Sequence, residues 1–333
     1  MSARDLLLFG DVSQPPFCNN LFPPLRAFQK IFRVKLVEPA RAPGFVATGG
    51  ARPALIPDDA VIGNTDPQPQ VVVCLGGALH FSDRALRIFP KETALCAFAL
   101  SDPQGLEASL AIAPKFDLVY TQDPQTLPAY TARGIDARRS DPATDSELYR
   151  PRRAEPEWDI LYYGKWTPYR NDLLAALAAR FRVRLHAYAD ETRWSVDAQP
   201  PLDTPDALCG ALNRSRLALE TALVDDVQGK YRGTFRITPR AFFAASCGVP
   251  SLVEAWPGLP EFFAPGVEIA TFAGKDEIVE AAARLLGDEP ARLAMGRRAR
   301  QRALRDHTWD SRVEAFLLDV NRWRAAPGPR PGR

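Results

Sequence analysis

Short apolar runs alternate with helical patterns along the chain, and this alternation constrains the fold more than any other feature. One run, Val71–Leu75, is apolar at every position, as expected for a parallel strand that is buried on both faces. Strands are predicted at residues 6–9, 34–37, 71–75, 95–100, 118–121, 159–163, 183–187, 217–220, 251–253 and 268–272. Helices are predicted at residues 21–31, 171–180, 276–286, 292–305 and 309–323, and before Cys247-Gly248. The alternation predicts an α/β fold of two Rossmann-like domains that face each other across a cleft.

Length and composition limit the classes of protein that fit. A chain of 333 residues suits two domains, and a net charge of +2 does not favour a nucleic-acid partner. No apolar run reaches the roughly 18–20 residues of a membrane span, so no transmembrane segment is expected. The N-terminal residues resemble a strand and not a signal peptide, so we expect a cytoplasmic protein. The five cysteines show no C-x-x-C spacing, which favours buried free thiols in a reducing cytosol over a metal site.

The predicted elements divide into two halves with a link near residues 151–157. The first domain is expected over residues 1–150, on the acceptor side, and the second, nucleotide-sugar domain over residues 151–308. A last helix at residues 309–324 is expected to cross back to the first domain. The remaining residues, 325–333, are rich in proline and glycine and are predicted to be disordered.

The segment of residues 236–272 carries the most specific pattern. A helical pattern ends at Cys247-Gly248, a short apolar strand follows Pro250, and a loop leads to Leu259-Pro260-Glu261, where a new helix is predicted. In a doubly wound sheet such a loop lies at the carboxyl end of a strand and the amino end of a helix. Free backbone N–H groups and the helix dipole favour an anion there.

This segment resembles the donor-sugar half of group 1 glycosyltransferases, in particular the CgeB-like, spore-maturation-type branch. The family's R-x-F-E-x-x-A-x-G-x-P pattern is similar to RAFFAASCGVP, and YYGKWTPYR, LALET and DHTWDSRVEAF are similar to other family motifs. The likeness covers residues 159–317. It implies the GT-B fold and an enzyme that moves a sugar from a nucleotide-sugar donor to an acceptor. The chain has no D-x-D sequence, so we expect a reaction without metal or other cofactor.

Two acidic residues of the family are replaced by phenylalanine. The glutamate that fixes the donor ribose corresponds to Phe243, and a second acidic position corresponds to Phe235. Three consequences stay open: the donor sits differently, another residue holds the ribose, or the enzyme is weakened. Packing in the protein core is the alternative interpretation of Phe243.

The departing diphosphate needs cations and N–H dipoles aimed at it. Lys165 follows the first glycine turn of the second domain, and Arg240 matches the family's arginine. Glu261 matches an acidic family position. The run from Lys230 to Thr234 is either a mobile clamp over the phosphates or an exposed basic loop. The full predicted donor-binding set is Gly164, Lys165, Arg170, Arg232, Arg236, Arg240, Gly258, Leu259 and Glu261.

A general base is expected in the first domain to activate the acceptor hydroxyl. His80 follows a buried strand and a Gly-Gly turn, and an imidazole is suited to this role near neutral pH. Asp11 and Asp102 end strands on the same predicted edge and are the other candidates, with Asp123 behind them. An ordinary surface or core role is the alternative for each.

The sequence leaves other functions open. A nucleotide-sugar epimerase would share the fold, and a protein that binds nucleotides or glycans without turnover would tolerate the two phenylalanines. The acceptor, whether a glycan, a lipid-linked sugar or a protein, is not indicated. The arginine-rich helix at residues 292–305 is either a solvated face or a patch for an anionic acceptor or a peripheral membrane contact.

Overall fold

The computed structural model describes residues 4–10, 18–38, 54–76, 78–188, 191–223 and 234–326, which form two compact units. Unit 1 contains the described residues 4–10, 24–38, 54–76, 78–141 and 310–326. Unit 2 contains the described residues 18–23, 142–188, 191–223 and 234–309. The chain thus passes to unit 2 between residues 10 and 18 and returns to unit 1 after Pro23, and it changes unit again after Asp141 and after Trp309. The domain boundaries at residues 150 and 308 stay predictions.

Unit 1 is built on a parallel sheet of six strands. Its strands run in the order β2-β1-β4-β6-β7-β8, and β3 pairs with β5 in a separate parallel ribbon. Counting only the six strands of the main sheet, this is the flavodoxin-like arrangement, in which the first strand lies second from the edge. The strands are β1 (Arg4–Phe9), β2 (Phe32–Val37), β3 (Ala54–Leu55), β4 (Val71–Leu75), β5 (Leu79–His80), β6 (Ala94–Ala99), β7 (Leu118–Thr121) and β8 (Ala137–Arg139).

Within the described residues, five helices accompany this sheet, and the longest of them, Cys18–Ile31, belongs to unit 1 only from Pro24 onward. They are α1 (Cys18–Ile31), α2 (Asp58–Ile62), α3 (Asp83–Leu86), α4 (Leu106–Ile112) and α5 (Leu127–Thr131). The strands β4 and β6 are buried at every position, which confirms that their apolar runs are covered on both faces. Alternate strand residues such as Leu7, Val72 and Leu95 pack with apolar residues of α2, α3, α4 and α5 in one buried cluster.

Unit 2 is built on a second parallel sheet of six strands, in the order β11-β10-β9-β12-β13-β14. Numbered within the unit, this is the 3-2-1-4-5-6 order of the Rossmann fold. The strands are β9 (Trp158–Gly164), β10 (Val183–Ala187), β11 (Ala198–Gln199), β12 (Ser215–Glu220), β13 (Ser251–Glu254) and β14 (Ala270–Phe272). Two parallel, doubly wound sheets confirm the predicted fold class.

The helices of unit 2 begin with a recurrent Thr-Pro pair. Thr167, Thr204 and Thr238 each accept a backbone N–H with the side-chain oxygen, and the proline that follows occupies the first turn. The helices are α6 (Pro168–Ala178), α7 (Pro205–Asn213), α8 (Pro239–Cys247), α9 (Lys275–Gly287) and α10 (Glu289–Asp306). The helix predicted at Leu259 is wrong in extent, because only a three-residue 3-10 turn, Leu259–Glu261, forms there.

The last helix, α11 (Trp309–Ala325), belongs to unit 1 from Asp310 onward. Phe316 packs against Phe28, Phe98 and Tyr120 with ring centroids 5.3, 5.7 and 5.7 Å away. The predicted disorder of the tail concerns residues that mostly lie outside the described ones. Within the described ranges, no helix combines the length and the apolar character that crossing a membrane requires.

Candidate functional site

The second sheet reverses its strand order between β9 and β12. In an open parallel sheet, ligands bind beyond the carboxyl ends of the strands at such a switch point. Here β9 ends at Gly164 and β12 at Glu220, and the chain leads from these ends toward the N-termini of α6 and α8. This edge of unit 2 is the candidate functional site.

A buried ion pair lies at the switch point. Arg240 Nε is 2.8 Å from Glu220 Oε2, and the two side chains are 13% and 1% exposed. Arg240 Nη1 donates to the carbonyl oxygen of Tyr163 at 2.8 Å, and the guanidinium lies 5.2 Å from the ring centre of Tyr162. Although burial opposes its charge, the carboxylate of Glu220 helps to raise the pKa of Arg240 above its ordinary value. Arg240 thus links the ends of β9 and β12. Its predicted contact with the nucleotide-sugar donor would be made in addition to these structural contacts.

Gly164 allows this arginine to reach the strand ends. A Cβ atom at this position would lie 2.8 Å from Arg240 Nη1 and 2.8 Å from the hydroxyl of Tyr162. Any side chain would therefore displace the guanidinium. The glycine of the YYGKW segment serves the close approach of Arg240 to the backbone.

Three cations gather beside the ion pair. Arg170, in the first turn of α6, donates through Nε to Thr221 Oγ1 at 3.1 Å and through Nη1 to the carbonyl oxygen of Lys165 at 3.3 Å. Arg236 is held by its backbone N–H, which donates to the carbonyl oxygen of Ala222 at 2.9 Å. Partial desolvation lowers the pKa of Lys165, and the charges of Arg170 and Arg236 lower it further. Within the described residues, neither Lys165 nor Arg170 has a carboxylate at ion-pair distance.

A second buried carboxylate, that of Glu254, lies at the carboxyl end of β13. Glu254 is 5% exposed at the end of this strand, accepts a hydrogen bond from the hydroxyl of Tyr169, and accepts the backbone N–H of Leu223 at 2.8 Å. These bonds tie α6 and the residues after β12 to β13. Glu254 is thus engaged in organising the site.

In the loop after β13, the predicted donor-binding residues Gly258 and Leu259 are engaged in packing and in a turn. Gly258 lies against Trp256, and a Cβ would come within 2.2 Å of that ring. Leu259 is 1% exposed, and its N–H already donates to the carbonyl oxygen of Trp256 at 3.1 Å. The expectation that the Leu259 amide is free for an anion is therefore wrong. Glu261 is exposed in the 3-10 turn, and its donor role stays a prediction.

The candidate general bases of unit 1 differ in their exposure to solvent: His80 is half-buried and Asp102 is fully buried. His80 is half-buried on β5, and desolvation lowers the pKa of its imidazole, which favours the neutral form that a general base requires. Asp102 is 0% exposed and accepts hydrogen bonds from Ser109, Thr121 and Tyr130. A carboxylate enclosed in this way has no surface for an acceptor, so the catalytic role proposed for Asp102 is wrong. His80 remains the predicted base.

Some predicted residues lie outside the described ones. They are Asp11 among the candidate bases, and Lys230 and Arg232 in the proposed phosphate clamp.

Phe243 is a core residue. It is 1% exposed and stacks on Tyr149, with ring centroids 4.1 Å apart and an angle of 13° between the planes. Its neighbours are apolar residues of α7, α8 and β9, among them Leu161 and Leu208. The packing interpretation of Phe243 is confirmed.

Two residues of the site, Glu220 and Thr221, are not among the predicted site residues. The sequence pattern places Glu220 only at the end of a strand and indicates no role for Thr221. A carboxylate directly after a buried apolar run was the available signal, because such a charge needs a partner.

Comparison with known proteins agrees with the fold. A family model described as "Glycosyl transferase-like" matches residues 170–318, which include most of unit 2. No curated protein matches the chain in sequence. The expected enzyme class, a glycosyltransferase, is confirmed by this domain, whereas the spore-maturation-type branch stays a prediction.

Solved structures share the architecture at low sequence identity. Sucrose-phosphate synthase from Thermosynechococcus elongatus has a TM-score of 0.64 at 14% identity over 97% of this chain and 100% of that one. HepE from Anabaena, solved with UDP and glucose, has a TM-score of 0.61 at 13% identity over 96% and 100%. AviGT4, a glycosyltransferase of avilamycin A biosynthesis, has 0.59 at 15% over 97% and 98%. The chain therefore has the GT-B fold.

Proposed function

We propose that the protein transfers a sugar from a nucleotide-sugar donor to an acceptor, and that the carboxyl edge of the second sheet binds the donor diphosphate. The observation that carries the proposal is the cluster of Lys165, Arg170 and Arg236 beside the N-termini of α6 and α8. Cations and helix N-termini stabilise the charge that develops on a departing diphosphate. The HepE complexes with UDP and UDP-glucose support a nucleoside diphosphate as the ligand class.

The reaction is proposed to need no metal ion. Three cations within one site supply the positive charge that a divalent ion would otherwise bring to the diphosphate. Transfer or donor hydrolysis is expected to persist in excess EDTA. Activity that disappears in EDTA and returns with magnesium or manganese would contradict this part of the proposal.

Binding and turnover are tested separately. A thermal-shift series with UDP, GDP and ADP is expected to show stabilisation by one of them, since a ligand of the native state raises the unfolding temperature. Incubation with the matching sugar nucleotides is then expected to release the nucleoside diphosphate. Binding without any release would favour the alternative of a nucleotide-binding protein, and no stabilisation by any diphosphate would overturn the proposed site.

A further inference from the structure

Two cysteines are in contact inside unit 2, in the apolar cluster that also contains Phe243. Cys209 lies on α7, and Cys247 is the last residue of α8. Their Sγ atoms are 3.8 Å apart, and the residues are 0% and 4% exposed. A disulfide needs an S–S distance of about 2.05 Å, so the sulfurs must approach by roughly 1.8 Å.

The surroundings of the pair favour a reactive thiolate at one of the two sulfurs. The hydrogen bond from Cys247 lowers the pKa of Cys209, and burial raises that of Cys247. Asn213 Nδ2 also lies 3.5 Å from the Cys209 sulfur as a donor. A thiolate in contact with a second thiol is the arrangement from which an intramolecular disulfide forms.

We propose that Cys209 and Cys247 form an oxidation site, at which a peroxide closes a disulfide between α7 and α8. The Cys209 thiolate attacks one peroxide oxygen, the O–O bond breaks, and hydroxide leaves, which takes up a proton to form water. The resulting sulfenic acid is attacked by the Cys247 sulfur as that thiol loses its proton, the S–O bond breaks, and a second water leaves. Two thiols and hydrogen peroxide thus give one disulfide and two waters.

The link would restrain the segment that carries the candidate donor site. The disulfide closes a loop over residues 210–246, which include Glu220, Thr221, Arg236 and Arg240. Restricting such a loop in the unfolded chain stabilises the folded protein. The oxidised protein is expected to unfold at a temperature higher by on the order of 5 °C.

The chain contains an internal control. Cys74 and Cys96 are buried on the neighbouring strands β4 and β6, but Cys96 is the register partner of Val73. The two cysteines are therefore one residue out of register, and their side chains lie on opposite faces of the sheet. Cys74 and Cys96 are therefore as buried as Cys209 and Cys247, but their side chains are not placed to form a disulfide.

The experiment treats the native protein with hydrogen peroxide, alkylates it in denaturant and digests it with trypsin without reductant. The expected product is the peptide of residues 194–214 linked to that of residues 241–275, with a loss of two hydrogens, while Cys74 and Cys96 are alkylated. Alkylation of both Cys209 and Cys247, or a sulfinic acid at Cys209 without the link, would overturn the proposal.

Unfolding temperatures provide a second readout. Peroxide is expected to raise the unfolding temperature of the wild type and of Cys74→Ala, but not that of Cys247→Ala. A rise of equal size in Cys247→Ala would show that another modification is responsible. If the disulfide-linked wild type unfolds at the same temperature as the reduced protein, the proposal that the disulfide restrains residues 210–246 is wrong.

Discussion

Arg240 shows how a single side chain combines the demands of folding and of the site. Its guanidinium pairs with the buried Glu220 and bonds the backbone at Tyr163, so it fixes the ends of two strands. A buried pair of this kind costs desolvation, and removal of one partner leaves the other charge uncompensated. The stability of unit 2 should therefore depend on this residue before any ligand is present.

Arg240→Ala is expected to lower the free energy of unfolding by about 3–5 kcal/mol, because Glu220 is left buried without its cation. Urea unfolding measures the change. Arg297→Ala, on the exposed face of α10, is the matched control and should change stability by less than about 0.5 kcal/mol. A loss below about 1 kcal/mol in Arg240→Ala would show that the pair is not a structural element.

Phe243 makes the second prediction at this scale. Phe243→Glu places a carboxylate against Tyr149 in the core and should destabilise the protein by more than about 4 kcal/mol. Phe243→Leu keeps the site apolar and should cost much less. Circular dichroism during heating distinguishes the two variants. A well-folded Phe243→Glu protein with tighter UDP binding would instead place this position at the donor ribose.

Asp102 gives a pH dependence with a defined sign. Burial raises the pKa of this carboxyl above its ordinary value of 3.8, despite its hydrogen bonds from Tyr130, Thr121 and Ser109. The folded protein then binds a proton at a pH at which the unfolded chain does not, so protonation stabilises the fold. The stability of the wild type relative to Asp102→Asn should rise as the pH falls from 8 toward 4. A relative stability that falls as the pH is lowered over this range would contradict the raised pKa of Asp102.

At the scale of helices and strands, local sequence patterns predict most elements but not the side-chain contacts between them. The strand at residues 118–121 is predicted with its observed bounds because it is a short, fully buried run. The strand at residues 183–187 is also predicted with its observed bounds, although it includes Arg184 and His186. The edge strands β8 and β11 are missed, since β8 is a half-exposed, arginine-rich segment and β11 has only two residues. The side-chain contacts of the site depend on residues far apart in sequence, such as Glu220 and Arg240, which no local pattern specifies.

The Thr-Pro helix starts allow a matched comparison at this scale. Thr204→Ala removes an ordinary N-cap and should cost about 1 kcal/mol. Thr238→Ala should cost more, because Thr238 Oγ1 also donates to Glu220 at 3.1 Å and accepts Arg240 Nε at 3.0 Å. Chemical denaturation of the two variants decides the order. Equal losses would mean that Thr238 acts as a cap alone.

At the scale of the whole chain, two parallel sheets with different strand orders share one polypeptide. The order 3-2-1-4-5-6 in unit 2 places a switch point between β9 and β12, and the three cations lie at its carboxyl edge. The alternation of apolar runs predicts both sheets apart from their edge strands β8 and β11. The family match to residues 170–318 covers β12, β13 and the start of α8 at this edge, whereas β9 and Lys165 precede it.

The central claim is that this edge binds a nucleoside diphosphate, and calorimetric titration with the diphosphate that stabilises the protein tests it most directly. Lys165→Met removes an exposed cation that has no carboxylate at ion-pair distance within the described part of the chain, so the fold should be preserved. The dissociation constant should rise about 10- to 100-fold, as expected for the loss of a charge-assisted phosphate contact. Lys275→Met, an exposed lysine at the start of α9, should bind like the wild type. Equal affinity in all three proteins would contradict the claim.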